Sequence, residues 1–308
     1  MQFKLGEYNK QNEYIEYVLS DDILEKIKNL ENSLVTVNEV KKGRIERVRV
    51  NKKQEIESDW ETIRNFKTTK ILDDNINIVD KSLNEIRKTL NKISSKNIDN
   101  QLEIIELNVK TILDQADDKL ENMEKTKKLI TNVCCSSKNF SNLFAIIYKK
   151  LSDNYDLFSD GINEIMQDYK NSILTIEYID PEKDYDEYCK YNKKNDIRKT
   201  TSLFILNLMK VSLITKEEFL DLILYLQCLV EEYSIMDDKK NEIEEIIENL
   251  YILIVTDFKE ICDEELCRDK VIPNINHISS MKKLKAQEYK SMTNRASFRC
   301  MDIIDSVK

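Results

Sequence analysis

Glycine and proline, the residues on which tight turns and strand connections depend, are nearly absent from this chain. Only 3 glycines and 2 prolines occur among its 308 residues. Turn-rich β architectures and glycine-dependent phosphate loops both need many more of them. Hydrophobic residues make up 41% of the chain and charged residues 34%, which is typical of amphipathic helices with solvated outer faces. The sequence therefore predicts an all-α protein.

Apolar residues recur with a helical period almost without interruption after residue 80. The clearest stretch begins at Ile243, from which apolar side chains follow at i+3, i+4, i+7 and i+8. Thr215 and Glu218 have the spacing of a capping box at the start of another helix. The pattern predicts ten helices, over residues 80–94, 98–113, 117–133, 139–152, 158–173, 195–212, 216–234, 239–261, 265–286 and 292–306.

Short polar breaks separate these predicted helices, which favours antiparallel hairpins packed side by side. Each hairpin unit spans about 35 to 45 residues, which is close to the period of HEAT repeats. We therefore expect a HEAT-like solenoid of helical hairpins with about five repeats. A long coiled coil is the alternative, but apolar heptads are not sustained and the breaks recur too often.

The N-terminal quarter has a different pattern, which predicts an extension and linker over residues 1–77 before a helical-repeat domain over residues 78–308. One short helix is expected at 21–32. Two β-branched runs within residues 34–50 flank Gly43 and predict a β-hairpin. A second irregular segment, acidic and rich in tyrosine, is expected as an insert at residues 175–196.

The residues that support most enzyme chemistry are scarce or isolated. The seven cysteines form no CxxC pair, and His277 is the only histidine. Carboxylate clusters occur, but no histidine partner, nucleophile or phosphate loop accompanies them. We therefore expect no enzymatic activity, no metal site and no cofactor. The net charge of −9 also argues against nucleic-acid binding by the whole surface.

Features of membrane and secreted proteins are not evident in the sequence. No apolar run reaches the roughly 18 residues that a bilayer-spanning helix needs. The first ten residues lack the apolar core of a secretory signal. These observations predict a soluble, intracellular protein that has no membrane partner, and the absence of a basic cluster of the nuclear-localisation type favours the cytoplasm.

Four segments carry a family resemblance. Residues 90–95 read Leu-Asn-Lys-Ile-Ser-Ser, with Ile98 shortly after them. Residues 137–151 contain Asn139 and Phe140 ahead of an apolar helix. Residues 197–217 contain a helix led by a phenylalanine, and residues 282–308 contain the final predicted helix pair. In this order and spacing, the segments resemble the middle domain of eukaryotic translation initiation factor 4G, over roughly residues 55 to 308.

Several departures from the family pattern accompany this resemblance. The proline that usually follows the first segment is missing, and Ile98 stands where the family has an aromatic residue. Leu206 replaces a glycine that the family usually has. Trp60 lies about 30 residues before Leu90, as a linker tryptophan does in the family. The chain ends at the middle domain, which suggests a minimal version of the scaffold, of viral or protist type.

The resemblance implies a crescent of five HEAT hairpins that binds a DEAD-box RNA helicase of the 4A type and stimulates it during translation initiation. One helicase lobe is expected at the N-terminal hairpins, with Trp60 packed across it, and the other at the last repeat. Such a scaffold has no catalytic residues of its own. The residues that the resemblance implies for helicase binding are Trp60, Leu90, Ile93, Ile98, Asn139, Phe140, Arg295 and Phe298.

Simpler interpretations remain for the same residues. The spacing of Leu90, Ile93 and Ile98 also suits the core of a hairpin, and Phe298 on its own suits a core position. The alternative function is a helical-repeat adaptor of another complex in mRNA metabolism, of the nuclear cap-binding, decay or splicing type.

Further partners are also expected from the resemblance. Tyr14 and Leu19 fit part of the helix by which family scaffolds contact a cap-binding protein, although Ser20 replaces its last hydrophobic residue. Local basic patches at residues 41–53 and 282–285 are the candidate contacts for direct RNA binding. Ribosome-bound factors are a further expected partner.

Overall fold

A computed structural model describes residues 77–114, 118–284 and 287–308, together with Glu25 and Lys28. The chain divides into two compact units, Met1–Leu72 and Asp73–Lys308. In the described residues of the second unit, the regular elements are all helical. Its α-helices are α1 (Ile78–Leu90), α2 (Ile98–Asp114), α3 (Lys119–Ser136), α4 (Ser141–Asn154), α5 (Asp156–Leu174), α6 (Tyr185–Lys210), α7 (Lys216–Ile235), α8 (Lys240–Val255), α9 (Ile272–Leu284) and α10 (Asn294–Ser306).

The predicted all-α class is confirmed for the described residues, and so is the capping box at the start of α7. The Glu218 backbone N–H donates to Thr215 Oγ1 at 3.1 Å, and the Thr215 backbone N–H donates to Glu218 Oε2 at 2.8 Å. The second bond lowers the pKa of the Glu218 carboxyl. The predicted β-hairpin at 34–50 and the helix at 21–32 fall on segments outside the described residues, apart from Glu25 and Lys28, which are helical.

The prediction of an irregular insert over residues 175–196 is wrong for its second half, because α6 begins at Tyr185. Asp184 caps this helix by accepting a hydrogen bond from the Glu187 backbone N–H at 2.9 Å. The tyrosines of the segment pack on one another: the rings of Tyr188 and Tyr191 are stacked at 6.3 Å. Tyrosines with their own local packing do not give the aliphatic period that signals a helix.

Two other predicted helices are interrupted. The predicted helix 239–261 ends at Val255 and is followed by a 3₁₀ turn, Phe258–Glu260. The predicted helix 265–286 begins instead as a π-helical turn, Cys267–Val271, and becomes α-helical only at Ile272. Apolar periodicity does not distinguish these local variants from an α-helix.

The helices pack mainly on their neighbours in chain order. Every substantial contact between α-helices joins partners that are at most three places apart along the chain. The most extensive contacts are those of α1 with α2 and of α9 with α10. Two helices each contact five others: α6 contacts α3, α4, α5, α7 and α8, and α3 contacts α1, α2, α4, α5 and α6. Buried apolar residues from all ten helices form one core cluster.

A buried chain of polar groups fixes α6 against α5 and α8. The hydroxyls of Tyr169 and Ser202 lie 2.6 Å apart, and Ser202 donates to Asn249 Oδ1 at 2.8 Å. Ser202 Oγ lies within hydrogen-bond distance of two further acceptors, Asn249 Oδ1 and the Arg198 carbonyl oxygen, so its single proton goes to one of them and Tyr169 is the donor in the first bond. Burial raises the pKa of Tyr169, so its hydroxyl stays protonated. These bonds set the relative position of three helices, since buried polar groups must be paired.

Gly161 lets α5 approach the side chains of α3 and α4 closely. A Cβ atom at this position would lie 2.8 Å from the Tyr148 hydroxyl oxygen and 3.0 Å from Cδ of Lys127. The Tyr148 hydroxyl is buried and forms no hydrogen bond to the described residues. Lys127 is held in place by Glu124 at 3.0 Å and Glu164 at 2.8 Å.

We predict that Gly161→Ala destabilises the fold through contact with the Tyr148 hydroxyl. Overpacking of this kind costs about 1–3 kcal/mol, against a gain of about 1 kcal/mol in helix propensity. In a Tyr148→Phe background the closest clash is gone, so the same substitution should be more favourable by about 1 kcal/mol or more. Urea unfolding of the four proteins in this double-mutant cycle measures the difference. Equal effects of Gly161→Ala in both backgrounds would show that the hydroxyl does not limit the approach.

Candidate functional site

The residues predicted at the first hairpin mostly form its core. Leu90 ends α1 with 1% of its surface exposed, and Ile93 in the following turn is 3% exposed. Ile98 begins α2 and packs, half-buried, on the same core. The side chains of Leu90 and Ile93 therefore offer no surface to a partner, and the structure gives both the hairpin-core role that their spacing also allowed.

Asn97 organises the turn at which the resemblance would place a proline. Its side-chain oxygen accepts a hydrogen bond from the Ser94 backbone N–H at 2.7 Å. Its amide group donates to the Lys92 carbonyl oxygen at 2.9 Å. An asparagine that bonds the backbone in this way ends one helix and starts the next without a proline.

Asn139 and Phe140 are exposed at the start of α4, on a 3₁₀ turn formed by Lys138–Phe140. Phe140 is 40% exposed, and its ring meets the buried ring of Phe144 edge to face at 6.5 Å. The next residue, Ser141, is buried and accepts a hydrogen bond from the Asn207 side chain of α6 at 3.0 Å. The exposed aromatic face therefore lies beside a firmly held backbone.

Arg295 lies in the first turn of α10 and is exposed. Its guanidinium pairs with Glu244 of α8 at 3.1 Å. Further along α10, Arg299 pairs with Glu248 at 2.8 Å and stacks 3.6 Å from the centre of the Tyr251 ring. These contacts hold α10 against α8.

Phe298 lies beside this contact, on the side of α10 away from the buried Ala296, Cys300 and Ile303, and is 62% exposed. It lines a groove of about 370 Å³ between α9 and α10, with Met301 beside it and Lys282 and Lys283 at the edge. The sequence-based prediction did not include Met301 or this groove. The spacing of Phe298 and Met301 at i and i+3 is the signal that identifies a second apolar face on α10, apart from the buried face of Ala296, Cys300 and Ile303.

The predicted residues thus form two separate exposed pairs, Asn139 with Phe140 and Arg295 with Phe298. Three other predicted site residues, Trp60, Tyr14 and Leu19, lie outside the described residues. Of the described phenylalanines, most are buried, namely Phe144, Phe158, Phe204 and Phe219. Exposed phenylalanines are therefore unusual in this part of the chain.

Other kinds of site are not found in the parts of the chain that the structure describes. No group of three histidine, cysteine or carboxylate side chains is placed to hold a metal ion there, and the seven cysteines are free thiols. None of the described helices is long and apolar enough to cross a lipid bilayer. Comparison with models of known protein families gives no match to this chain, and comparison with curated proteins gives none either.

We predict that Phe298→Ala leaves the free energy of unfolding within about 0.5 kcal/mol of wild type, because the side chain is exposed. Ile93→Ala should cost about 2–5 kcal/mol, because it opens a cavity in the core. Chemical denaturation measures both values. A loss for Phe298→Ala as large as that for Ile93→Ala would show that Phe298 belongs to the core.

Proposed function

We propose that this protein is a translation-initiation scaffold that binds and stimulates a DEAD-box RNA helicase of the 4A type. The observation that supports this most is the exposure of Phe140 and Phe298. Both occupy positions at which the family resemblance implies helicase contacts, and both lie near the start of a helix that is held on the core. Exposed aromatic side chains on rigid backbone are typical of the residues that dominate protein–protein binding energy.

The proposed fold is a HEAT-like stack of about five helical hairpins. The neighbour-to-neighbour packing of the ten helices supports this, since solenoid repeats contact mainly the units beside them. Such a stack holds two distant surfaces on one body, one at α4 and one at α10.

Two contacts on one rigid body can restrict the relative motion of the two lobes of a partner. A DEAD-box helicase consists of two flexibly joined lobes that must close on each other around ATP and RNA. When each lobe binds its own surface, the second binding event becomes intramolecular and the relative motion of the lobes is restricted. The scaffold then favours lobe arrangements close to the active one, which raises ATP turnover without catalytic residues of its own.

The same proposal extends to a cytoplasmic location and to further partners. A cap-binding protein would contact the segment that contains Tyr14 and Leu19, and RNA or ribosome-bound factors would contact the basic residues. The alternative adaptor classes differ from this proposal in which helicase they bind, so the identity of the bound helicase separates them.

We predict that Phe140→Ala and Phe298→Ala each weaken binding of a 4A-type helicase about thirtyfold, since loss of a dominant aromatic contact costs about 2 kcal/mol. Both should also reduce stimulation of its RNA-dependent ATPase. Tyr185→Ala is the matched control, because Tyr185 is 68% exposed at the start of a helix but lies outside both pairs. Titration calorimetry and a coupled ATPase assay measure these effects.

Binding and ATPase stimulation by the wild-type protein are measured before the variants are compared. If it neither binds the helicase nor stimulates its ATPase with RNA present, the proposed function fails. If wild type binds and Tyr185→Ala weakens binding as much as the two phenylalanine variants do, the contact surfaces lie elsewhere.

A further inference from the structure

A cavity of about 340 Å³ opens among α3, α5 and α6, and its lining includes neither Phe140 nor Phe298. Its volume lies in the range of small-molecule sites. Ile165 and Ile197 form its apolar part, and hydroxyl and charged side chains line the rest. The proposed scaffold function makes no use of this cavity.

Arg198 of α6 lines the cavity and is unusual in being a buried arginine without an ion-pair partner among the described residues. Only 4% of its surface is exposed. Its Nε donates to the Ser172 carbonyl oxygen at 2.8 Å, and Nη1 donates to the side-chain oxygen of Asn195. The carboxylate of Glu245 acts on its charge from beyond ion-pair distance and is itself paired with Lys199 at 3.0 Å. No hydrogen bond joins Nη2 to a described residue, and Nη2 is not among the fully buried side-chain atoms that lack a partner, so it remains accessible to solvent.

The bond from Nε has a structural explanation. Ser172 lies in the last turn of α5, where carbonyl oxygens are free and a cation is favourable. The bond to this helix end involves only Nε of Arg198. It does not satisfy Nη2, and it supplies no full negative charge. A buried guanidinium stays charged, and buried charges in proteins are normally paired.

Lys194 adds a second positive charge to the same cavity. It precedes Arg198 by four residues on α6, so the two side chains lie on one face of the helix. Lys194 is exposed, and no ion pair or hydrogen bond joins it to another described residue. Two cations without an ion-pair partner on one cavity wall favour an anionic group, such as a phosphate monoester, which carries a charge of about −2.

Asp168 lines the cavity from α5. No ion pair joins this carboxylate to Arg198 or Lys194 in the structure. A second carboxylate or phosphate near it would be repelled, whereas a hydroxyl or amino group would donate a hydrogen bond to it. The ligand therefore needs one anionic end and a polar body with hydrogen-bond donors.

The wall of the cavity is fixed before any ligand binds. Tyr169 lines it and is held by its buried hydrogen bond to Ser202. The Ser202 hydroxyl also lies 3.1 Å from the Arg198 carbonyl oxygen. A preorganised site of this kind loses little conformational entropy when it binds.

From this geometry we infer that the cavity among α3, α5 and α6 binds a small phosphate monoester, with its phosphate on Arg198 and Lys194 and its hydroxyl-bearing body toward Asp168. This is a ligand site additional to the proposed protein-docking surfaces, and it does not depend on them.

Titration calorimetry at constant ionic strength tests this inference with three probes: ribose 5-phosphate, ribose and inorganic phosphate. We expect ribose 5-phosphate to bind, ribose to give no signal, and inorganic phosphate to bind more weakly than ribose 5-phosphate. If wild type gives no heat with ribose 5-phosphate at millimolar concentration, or if ribose binds equally well, the inference is overturned.

A matched pair of lysine variants locates the site. Lys194→Gln should weaken ribose 5-phosphate binding about tenfold, or about 1.4 kcal/mol. Lys193→Gln should leave it unchanged, because Lys193 is an exposed neighbour outside the cavity lining and its loss changes the net charge equally. Both lysines are exposed, so neither variant threatens the fold. Equal effects of the two variants would overturn the inference.

The variant Asp168→Asn tests which end of the ligand lies near Asp168. Removing this carboxylate lessens repulsion, so inorganic phosphate should bind more tightly to Asp168→Asn than to wild type. Ribose 5-phosphate should gain less than inorganic phosphate, because it also loses a charged hydrogen-bond acceptor. If Asp168→Asn leaves both affinities unchanged, Asp168 does not face the ligand and the proposed orientation is wrong.

Discussion

The packing of α6 is the interaction on which the rest of the described fold depends. This helix contacts five others, and its buried Ser202 links Tyr169 of α5 to Asn249 of α8. Leaving one such buried group unpaired costs about 1–3 kcal/mol, so the bonds select one arrangement of the three helices. Through Asn207 the same helix holds the start of α4 beside Phe140. Through α8 it supports the ion pairs that hold α10. Both candidate docking surfaces are therefore connected to α6, the one at Phe140 directly and the one at Phe298 through α8.

Much of the helix map could be predicted because aliphatic residues at a period of 3.6 report burial directly. The start of α6 could not, since its tyrosines pack locally and its acidic residues resemble a loop. The network of Tyr169, Ser202 and Asn249 was also invisible, because a buried serine and a surface serine look alike in sequence. Exposure was the hardest property to predict. Leu90 and Ile93 turned out to be core, whereas Phe298, which suits a core position on its own, is mostly exposed.

Exposure changes how the candidate sites are understood. Phe140 rests on Phe144 and Phe298 stands beside a groove bordered by lysines, so each pairs an accessible aromatic ring with a supported backbone. Binding energy at protein interfaces concentrates in such residues. Arg198 shows the reverse case, a charged side chain in a place where charges are rarely left unpaired. Helix α6, which supports both candidate docking surfaces, thus also carries one wall of the cavity that we propose as a phosphate site.

The proposed function requires that two separate surfaces of this protein each hold one lobe of a helicase. The most direct test titrates the isolated N-terminal and C-terminal lobes of a 4A-type helicase, one at a time, into wild type, Phe140→Ala and Phe298→Ala. We predict that both lobes bind wild type, and that each variant loses affinity for one lobe, a different one in each case, while it retains the other. Loss of the same lobe in both variants, or binding of neither lobe to wild type, would contradict the proposal.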